Sequence, residues 1–161
     1  MREIAYKPIG ILHSPFKDPV GTPIQPSAVA GISATVEIFP EYEEGLKDLE
    51  GFSHIILLYH FHLSKPYKLT VKPFMDENYH GVFATRSPSR PNPIGISTVR
   101  LLKIEKNVLY IQNVDILDET PVLDIKPYVP EFDRNEEIKI GWLENNIHKL
   151  GWTRDDGRFG E

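Results

Sequence analysis

The sequence contains no cysteine, which excludes a disulfide framework, thiolate metal sites and a cysteine nucleophile. No apolar run approaches the roughly 18 residues of a membrane span, and the N-terminus has charges and a proline where a signal peptide needs an apolar core. The 18 basic and 23 acidic residues give a net charge of −5, which argues against nonspecific coating of nucleic acid. We therefore expect a soluble, cytoplasmic protein.

Proline, by contrast, is in excess, with 14 among 161 residues where about 5% is usual. The prolines fall between or beside apolar, alternating segments, as in a β-rich protein. Residues 31–40 alternate apolar and polar side chains, and residues 54–62 (HIILLYHFH) are rich in strand formers. The length is that of one domain. We predict a mainly β protein, a small single-domain β-barrel with one or two accessory helices.

The accessory helices and the remaining strands complete this predicted architecture. Apolar residues at spacings of three and four predict helices over residues 41–49 and 135–150. We assign residues 1–130 to the barrel and residues 131–161 to a C-terminal helix and tail that is packed on the same domain or trails from it, with fraying from residue 151. The other predicted strands are residues 5–12, 70–72, 81–86, 97–104, 108–113 and 121–128.

Two proline-rich segments are candidates for a binding site. Residues 13–27 hold four prolines and a glycine, so they form a loop of a length that is usually functional in a compact domain. In residues 86–97 (RSPSRPNPIGIS) three prolines restrict the backbone and hold Arg86, Arg90 and Asn92 in one stiff loop. Guanidinium groups bind carboxylate or phosphate. We interpret this loop as preorganised for binding, and the alternative is a simple connection between two strands.

A third segment, residues 115–128, is rich in acids and raises the question of a metal. It contains the acids Asp115, Asp118, Glu119 and Asp124, but no pattern of a calcium-binding loop occurs. If the segment is extended, Asp124, Lys126 and Tyr128 share a face, and an exposed ion pair between the first two is the alternative to a functional role. Zinc is a second possibility, because His54, His60 and His62 have the same strand parity. They lack an HExxH motif or cysteine partners, so we predict no metal.

Common catalytic and nucleotide-binding motifs are absent. No serine lies in a GxSxG elbow, no GxGxxG follows a strand, and no GxxxxGK[ST] exists. A nucleotide-like ligand would therefore need a different fold from the common nucleotide-binding ones.

Five motifs occur in a fixed order along the chain: IGILHSPFK (9–17), TPIQP (22–26), GFSHIILLYHFH (51–62), GVFATRSPSRPNPIGIS (81–97) and TPVLDIKPY (120–128). Together they resemble the YaeB/TrmO-like family, also called TsaA-like, over residues 4–130. The resemblance implies a small β-barrel that binds S-adenosylmethionine outside the usual Rossmann methyltransferase fold, usually as a homodimer. It also implies methylation of the 6-amino group of threonylcarbamoyl-modified adenosine beside the tRNA anticodon.

The resemblance further implies roles for residues at matching positions. The cofactor contacts would be Gln25, Pro26, His62, Leu63, Arg86, Ile116, Leu117, Asp118, Glu119 and Thr120. The turn over residues 90–95 would shape the methyl-acceptor side together with Asp124, Lys126 and Tyr128. The implied substrate contacts are Arg90, Asn92 and Lys126, and the candidates for catalysis are Asn92, Asp124, Lys126 and Tyr128. Methyl transfer depends on positioning and on a hydrogen-bond acceptor, so no metal is needed.

The chain departs from the family pattern in three places. It has Ile24-Gln25-Pro26 where the bacterial form often reads R-Q-P, and Asp118-Glu119-Thr120-Pro121 where it reads D-G-T-P. Longer members carry an additional C-terminal domain thought to help grip tRNA, whereas about 30 residues follow Pro130 here. The alternative to an enzyme is therefore a module that binds S-adenosylmethionine or a nucleotide-like ligand without turnover.

Overall fold

The alternating segments form a closed antiparallel barrel. A computed structural model of the chain describes residues 2–25 and 30–159. The strands are β1 (Gly10–His13), β2 (Ser33–Ile38), β3 (His54–His60), β4 (Thr70–Val71), β5 (His80–Gly81), β6 (Ile94–Glu105), β7 (Val108–Gln112) and β8 (Thr120–Pro127). Six of them close the barrel in the spatial order β1-β2-β7-β6-β3-β8, and β4 pairs separately with β5. The predicted mainly β barrel is confirmed.

The barrel interior is filled by the apolar residues of the alternating pattern. Val36, Leu57, Val99, Ile111 and Val122 come from five different strands and are fully buried. Because successive side chains of a strand point to opposite faces, their neighbours in each strand lie on the outside of the barrel. The buried layer therefore follows directly from the period of two in the sequence.

The first accessory helix is a pair of 3-10 helices. The predicted helix over residues 41–49 consists of Pro40–Leu46 and Leu49–Gly51. Asp48 separates them with φ 67°, in the left-handed region that cannot continue a right-handed helix. The short 3-10 form is usual for a connector of this length.

The second predicted helix, over residues 135–150, is also 3-10 in type. Its two pieces are Gly141–Asn145 and Ile147–Lys149. Glu137 and Gly141 have φ 53° and 57°, so the backbone leaves the right-handed helical region at two points within the predicted range. None of the helical segments in the described part of the chain has the length and apolarity of a membrane span.

One predicted strand is wrong in extent and type. Residues 81–86 do not form a strand: only His80–Gly81 pairs with β4, and Val82–Ala84 is a 3-10 helix. The prediction of a strand over residues 5–12 also overran, because β1 begins only at Gly10. Both errors lie beside prolines or glycines, where the local pattern does not set the boundary.

The C-terminal segment is bound to the rest of the domain instead of fraying from residue 151. The N–H of Gly21 donates to the carbonyl of Asp155 at 2.6 Å, and the N–H of Asp155 donates to the carbonyl of Thr22 at 2.9 Å. Phe159 is 7% exposed and packs edge-on against Phe74, with ring centroids 5.1 Å apart. The loop that follows β1 and the end of the described chain are therefore joined by hydrogen bonds and form one continuous wall of the domain.

Gly10 gives a test of the barrel closure. A Cβ at this position would lie 2.3 Å from the carbonyl oxygen of Glu37 on β2. We expect Gly10→Ala to lower the free energy of unfolding by about 1–3 kcal/mol, because β1 and β2 must move apart. Urea denaturation measures this change. The control is Gly45→Ala, whose Cβ would meet no atom within 4 Å, and equal losses in the two variants would contradict the interpretation.

Candidate functional site

A cavity of about 730 Å³, here called the barrel-end pocket, lies where β3 ends and β6 begins. Its size is that of a nucleoside-like or drug-sized ligand. Its walls come from segments far apart in sequence: residues 22–25, 59–64, 83–96, 115–120 and 142–159 each contribute side chains. The proline-rich loops that interrupt the predicted sheet therefore meet at one end of the barrel.

Most of the residues predicted to contact a cofactor line this pocket. Those that line it are Gln25, His62, Leu63, Arg86, Ile116, Leu117 and Thr120, and Arg90 from the predicted acceptor side joins them. Asp118 and Glu119 do not line it. Pro26 lies outside the described residues.

The two arginines of the stiff loop have different environments. Arg86 is exposed, and its Nη1 donates to Oε1 of Gln25 at 3.0 Å. Arg90 instead donates from Nη1 to the carbonyls of Thr85 and Ser87, at 2.9 and 3.2 Å. Arg90 therefore fixes the shape of its own loop, while Arg86 links that loop to the first one and keeps donors available for a ligand.

His62 and Thr120 contribute polar atoms from the far side of the pocket. Oγ1 of Thr120 lies 3.4 Å from Nδ1 of His62 and donates to the carbonyl of Leu117 at 2.7 Å. Burial lowers the pKa of His62, so the imidazole is neutral near pH 7. A neutral imidazole offers a ligand one donor or one acceptor and no charge.

Asp118 and Glu119 shape the turn that precedes β8. The carboxylate of Asp118 accepts from the backbone N–H of Ser14 at 2.9 Å and from Lys17 Nζ, and these hydrogen bonds, chiefly that of Lys17, lower its pKa. Glu119 has φ 61°, at the position where the family pattern has glycine. The pair holds the first loop against this turn.

One group of potential metal ligands comes together in the described ranges, and it is not the predicted histidine set. His13, Asp118 and Glu119 place one ligand atom each within 4.8 Å of the others. Lys17 and the Ser14 N–H already occupy the two oxygens of Asp118. We therefore assign no metal role to this group.

The residues predicted for catalysis lie outside the pocket of the single chain. Asp124 and Lys126 form an ion pair at 2.8 Å with both side chains about half exposed, as in the alternative interpretation of this motif. The ring of Tyr128 packs edge-on against His54, with centroids 6.3 Å apart. Asn92 is exposed on the loop before β6, also outside the pocket lining.

A hydrogen-bonded chain that sequence reasoning missed connects two residues of the pocket lining, Tyr59 and Asp115. The hydroxyl of Tyr59 is 2.9 Å from Oγ of Ser97, and that oxygen donates to Oδ1 of Asp115 at 2.7 Å. Burial raises the pKa of Asp115 to about 7 and also raises that of Tyr59. The sequence marked Asp115 only as one of several acids, and nothing in its spacing indicated that a tyrosine two strands away would reach it.

Comparison with known protein families identifies the family of this chain. The model of the tRNA-methyltransferase O N-terminal domain matches residues 11–134, which carry the barrel and all but the C-terminal wall of the pocket. The chain belongs to this family. The resemblance inferred from the five motifs is thereby confirmed.

This chain covers a different share of the length of each relative. A probable S-adenosyl-L-methionine-binding protein of Pyrococcus abyssi is 65% identical over 97% of this chain and 85% of that protein. A tRNA (adenine(37)-N6)-methyltransferase of Mus musculus is 41% identical over 89% of this chain but 34% of that enzyme. The crystal structure of TrmO from Pseudomonas aeruginosa superimposes with a TM-score of 0.74 at 38% identity, covering 88% of this chain and 63% of that one.

Proposed function

We propose that this chain is an S-adenosylmethionine-dependent methyltransferase that methylates the 6-amino group of threonylcarbamoyl-modified adenosine next to the tRNA anticodon. The observation that carries the proposal is the barrel-end pocket, in which most of the predicted cofactor residues of a TrmO-family chain come together. The names of the archaeal and mouse relatives support the cofactor and the class of substrate. The chain spans about a third of the mouse enzyme, so the whole activity is a proposal for this chain.

The pocket lining fits S-adenosylmethionine chemically. Apolar side chains of Leu63, Ile116 and Leu117 suit the adenine ring, and the fork of Arg86 suits the carboxylate of the methionyl group. Bound S-adenosylmethionine supplies a methyl group on a cationic sulfonium. The protein supplies orientation, and a neutral His62 adds no positive charge beside that cation.

Several exposed groups can bind RNA near the pocket. Phe83 lines the pocket, yet its side chain is 77% exposed, which suits stacking on an unpaired base. Arg100 is an exposed cation available for phosphate contacts, whereas Lys103 already pairs with Glu105 at 2.7 Å. Because tRNA is the expected substrate, the cytoplasmic location stays part of the proposal.

Methyl transfer to defined tRNAs tests the proposal. We expect the chain to transfer a labelled methyl group from S-adenosylmethionine to a tRNA that carries threonylcarbamoyl-adenosine beside the anticodon. The same transcript without this modification is the control and should accept much less label. Binding of the cofactor with no transfer to either tRNA would support the alternative, a binding module without turnover.

Arg86 gives a test of the cofactor site. We expect Arg86→Lys to weaken S-adenosylmethionine binding roughly 10- to 150-fold, because a lost charge-assisted bidentate contact costs about 1.5–3 kcal/mol while the charge is kept. Titration calorimetry measures the affinity. Arg100→Lys is the matched control, since Arg100 lies on β6 outside the pocket lining. Near-wild-type binding by both variants would show that Arg86 is not a cofactor contact.

We also propose that the chain forms a homodimer through the outer face of β3, β6 and β8, here called the apolar face. Ile94 and Ile96 are 43% and 45% exposed on this face, and Ile96 lies directly across from Leu58. Asp124 of β8 also stands directly opposite Leu58 in the strand register. Because directly opposite residues point to the same side of a sheet, Asp124 lies on the apolar face as well. An exposed patch of this kind is typical of an interface.

The position of the apolar face explains the placement of the predicted acceptor residues. Ile94 and Ile96 are at once part of this face and of the pocket lining. A second copy on the face would therefore stand at the mouth of the pocket and bring its own Asp124 and Lys126 with it. This arrangement supports a role for residues 124–128 (DIKPY) of one chain in the pocket of its partner.

The dimer is tested by light scattering at micromolar concentration. We expect a mass near twice the 18.4 kDa of the chain for the wild type and near one chain for Ile96→Asp, because the substitution buries a charge in the interface. Leu102→Asp is the control, since Leu102 is equally exposed, at 46%, but lies beyond the β3 pairing. A wild-type mass near 18.4 kDa would contradict the dimer.

A further inference from the structure

We propose that Asp115 is a catalytic residue: its carboxylate accepts the proton that the substrate nitrogen loses when that nitrogen receives the methyl group. This inference rests on the proposed function. It assigns the role to a residue in the pocket of one chain, whereas Asp124 and Lys126, two of the predicted catalytic candidates, lie on the apolar face.

Asp115 is held by a directed chain of hydroxyls. The Ser97 hydroxyl donates to Oδ1 of Asp115 at 2.7 Å, so its oxygen is left to accept from the Tyr59 hydroxyl at 2.9 Å. Gly95 makes room for this arrangement, because a Cβ there would lie 2.4 Å from Cε2 of the Tyr59 ring. Only one carboxylate oxygen receives a side-chain donor among the described residues. Together with a hydrogen bond from the backbone N–H of Asp115 itself, this contact fixes the orientation of the carboxylate, which lines the pocket.

The position of Asp115 is the junction between the two predicted sides of the site. Ile116 and Leu117, which follow it in sequence, line the pocket with the predicted cofactor residues. Ser97, which binds its carboxylate, follows the turn over residues 90–95 that is predicted to face the methyl acceptor. Asp115 itself lines the pocket. The proposal places the atom that receives the methyl at this junction.

The chemistry of the acceptor needs such a group. The nitrogen of threonylcarbamoyl-adenosine carries one hydrogen and lies between a purine ring and a carbonyl, both of which withdraw its lone pair. The new N–C bond forms as the S–C bond breaks and its electron pair stays on sulfur, giving S-adenosylhomocysteine. The N–H bond breaks with its pair kept by nitrogen, and the proton passes to the Asp115 carboxylate. A positioned base commonly accelerates such a step by about 10²- to 10⁴-fold.

The surrounding charges allow Asp115 to accept and release a proton near neutral pH. Burial raises its pKa to about 7, opposed by the Ser97 hydrogen bond, a hydrogen bond from its own backbone N–H and the charge of Arg86. The other titratable or charged groups that line the pocket are Tyr59, His62, Arg90 and Asp155. Burial lowers the pKa of His62 and raises that of Tyr59, so both are shifted away from pH 7. Asp155 is half-buried, and burial raises its pKa as well.

The test is the pH dependence of the single-turnover rate on threonylcarbamoyl-modified tRNA, with cofactor and tRNA saturating. We expect the wild-type rate to rise through a midpoint near pH 7, as Asp115 ionises. Asp115→Asn should lower the rate about 10²- to 10⁴-fold and remove this rise, with cofactor affinity nearly unchanged. Ser97→Ala should move the midpoint to higher pH, because the lost hydrogen bond favoured the ionised carboxylate. Asp155→Asn should leave the midpoint in place.

The possible outcomes separate the two proposals. If the wild-type chain transfers no methyl group, the proposed function fails and the role of Asp115 fails with it. Wild-type transfer with an unchanged rate and profile in Asp115→Asn overturns the role of Asp115 alone. A defect that is absent at saturating cofactor and present only below saturation would make Asp115 a cofactor contact and would also overturn the proposal. Asp133→Asn, a change on an exposed residue outside the pocket lining, controls for loss of charge.

If Asp115→Asn fails to fold, the midpoint shift of Ser97→Ala decides, and an unshifted midpoint overturns the proposal.

Discussion

Closure of the barrel is the constraint on which the site depends. Because β1 pairs with both β2 and β8, the loop that follows β1 must leave the barrel beside the turn that begins β8. The pairing of β3 with β6 brings the end of one strand and the proline-rich entrance of the other to the same rim. An open sheet of the same strands would leave these loops at separate edges, so the pocket exists only because the sheet closes.

The fold could be predicted because it rests on local alternation, whereas its accessory parts rest on backbone conformations that composition does not reveal. Leu57 and Val99 lie in segments whose period of two already implied burial, and both are fully buried. The stripe over residues 135–150 looked helical because apolar spacing was visible, but a left-handed Glu137 was not. A positive φ at a residue other than glycine is set by tertiary contacts, which a single sequence does not contain.

The site was partly predictable for a similar reason. Arg86 and Gln25 belong to distinctive motifs, so the resemblance could assign them before their 3.0 Å contact was known. The residues Tyr59 and Ser97 lie in strands whose sequences predict only burial and alternation. Their contact arises from register, since Tyr59 stands opposite Gly95 and only a residue without a side chain lets the ring lie there. Cross-strand geometry of this kind is not readable from composition or spacing.

The wall formed by Gly21, Thr22 and Asp155 joins parts of the chain that are more than 130 positions apart. Contacts between such distant segments close the longest loop in the domain, and they bring a large entropic cost before any side-chain packing repays it. A molecule bound against this wall would stabilise the native state by an amount that grows with the logarithm of its concentration above the dissociation constant. Thr22 and Asp155 of this wall also line the barrel-end pocket. A ligand of that pocket would therefore lengthen the lifetime of the folded protein, and a low concentration of the ligand would shorten that lifetime as well as slow the reaction.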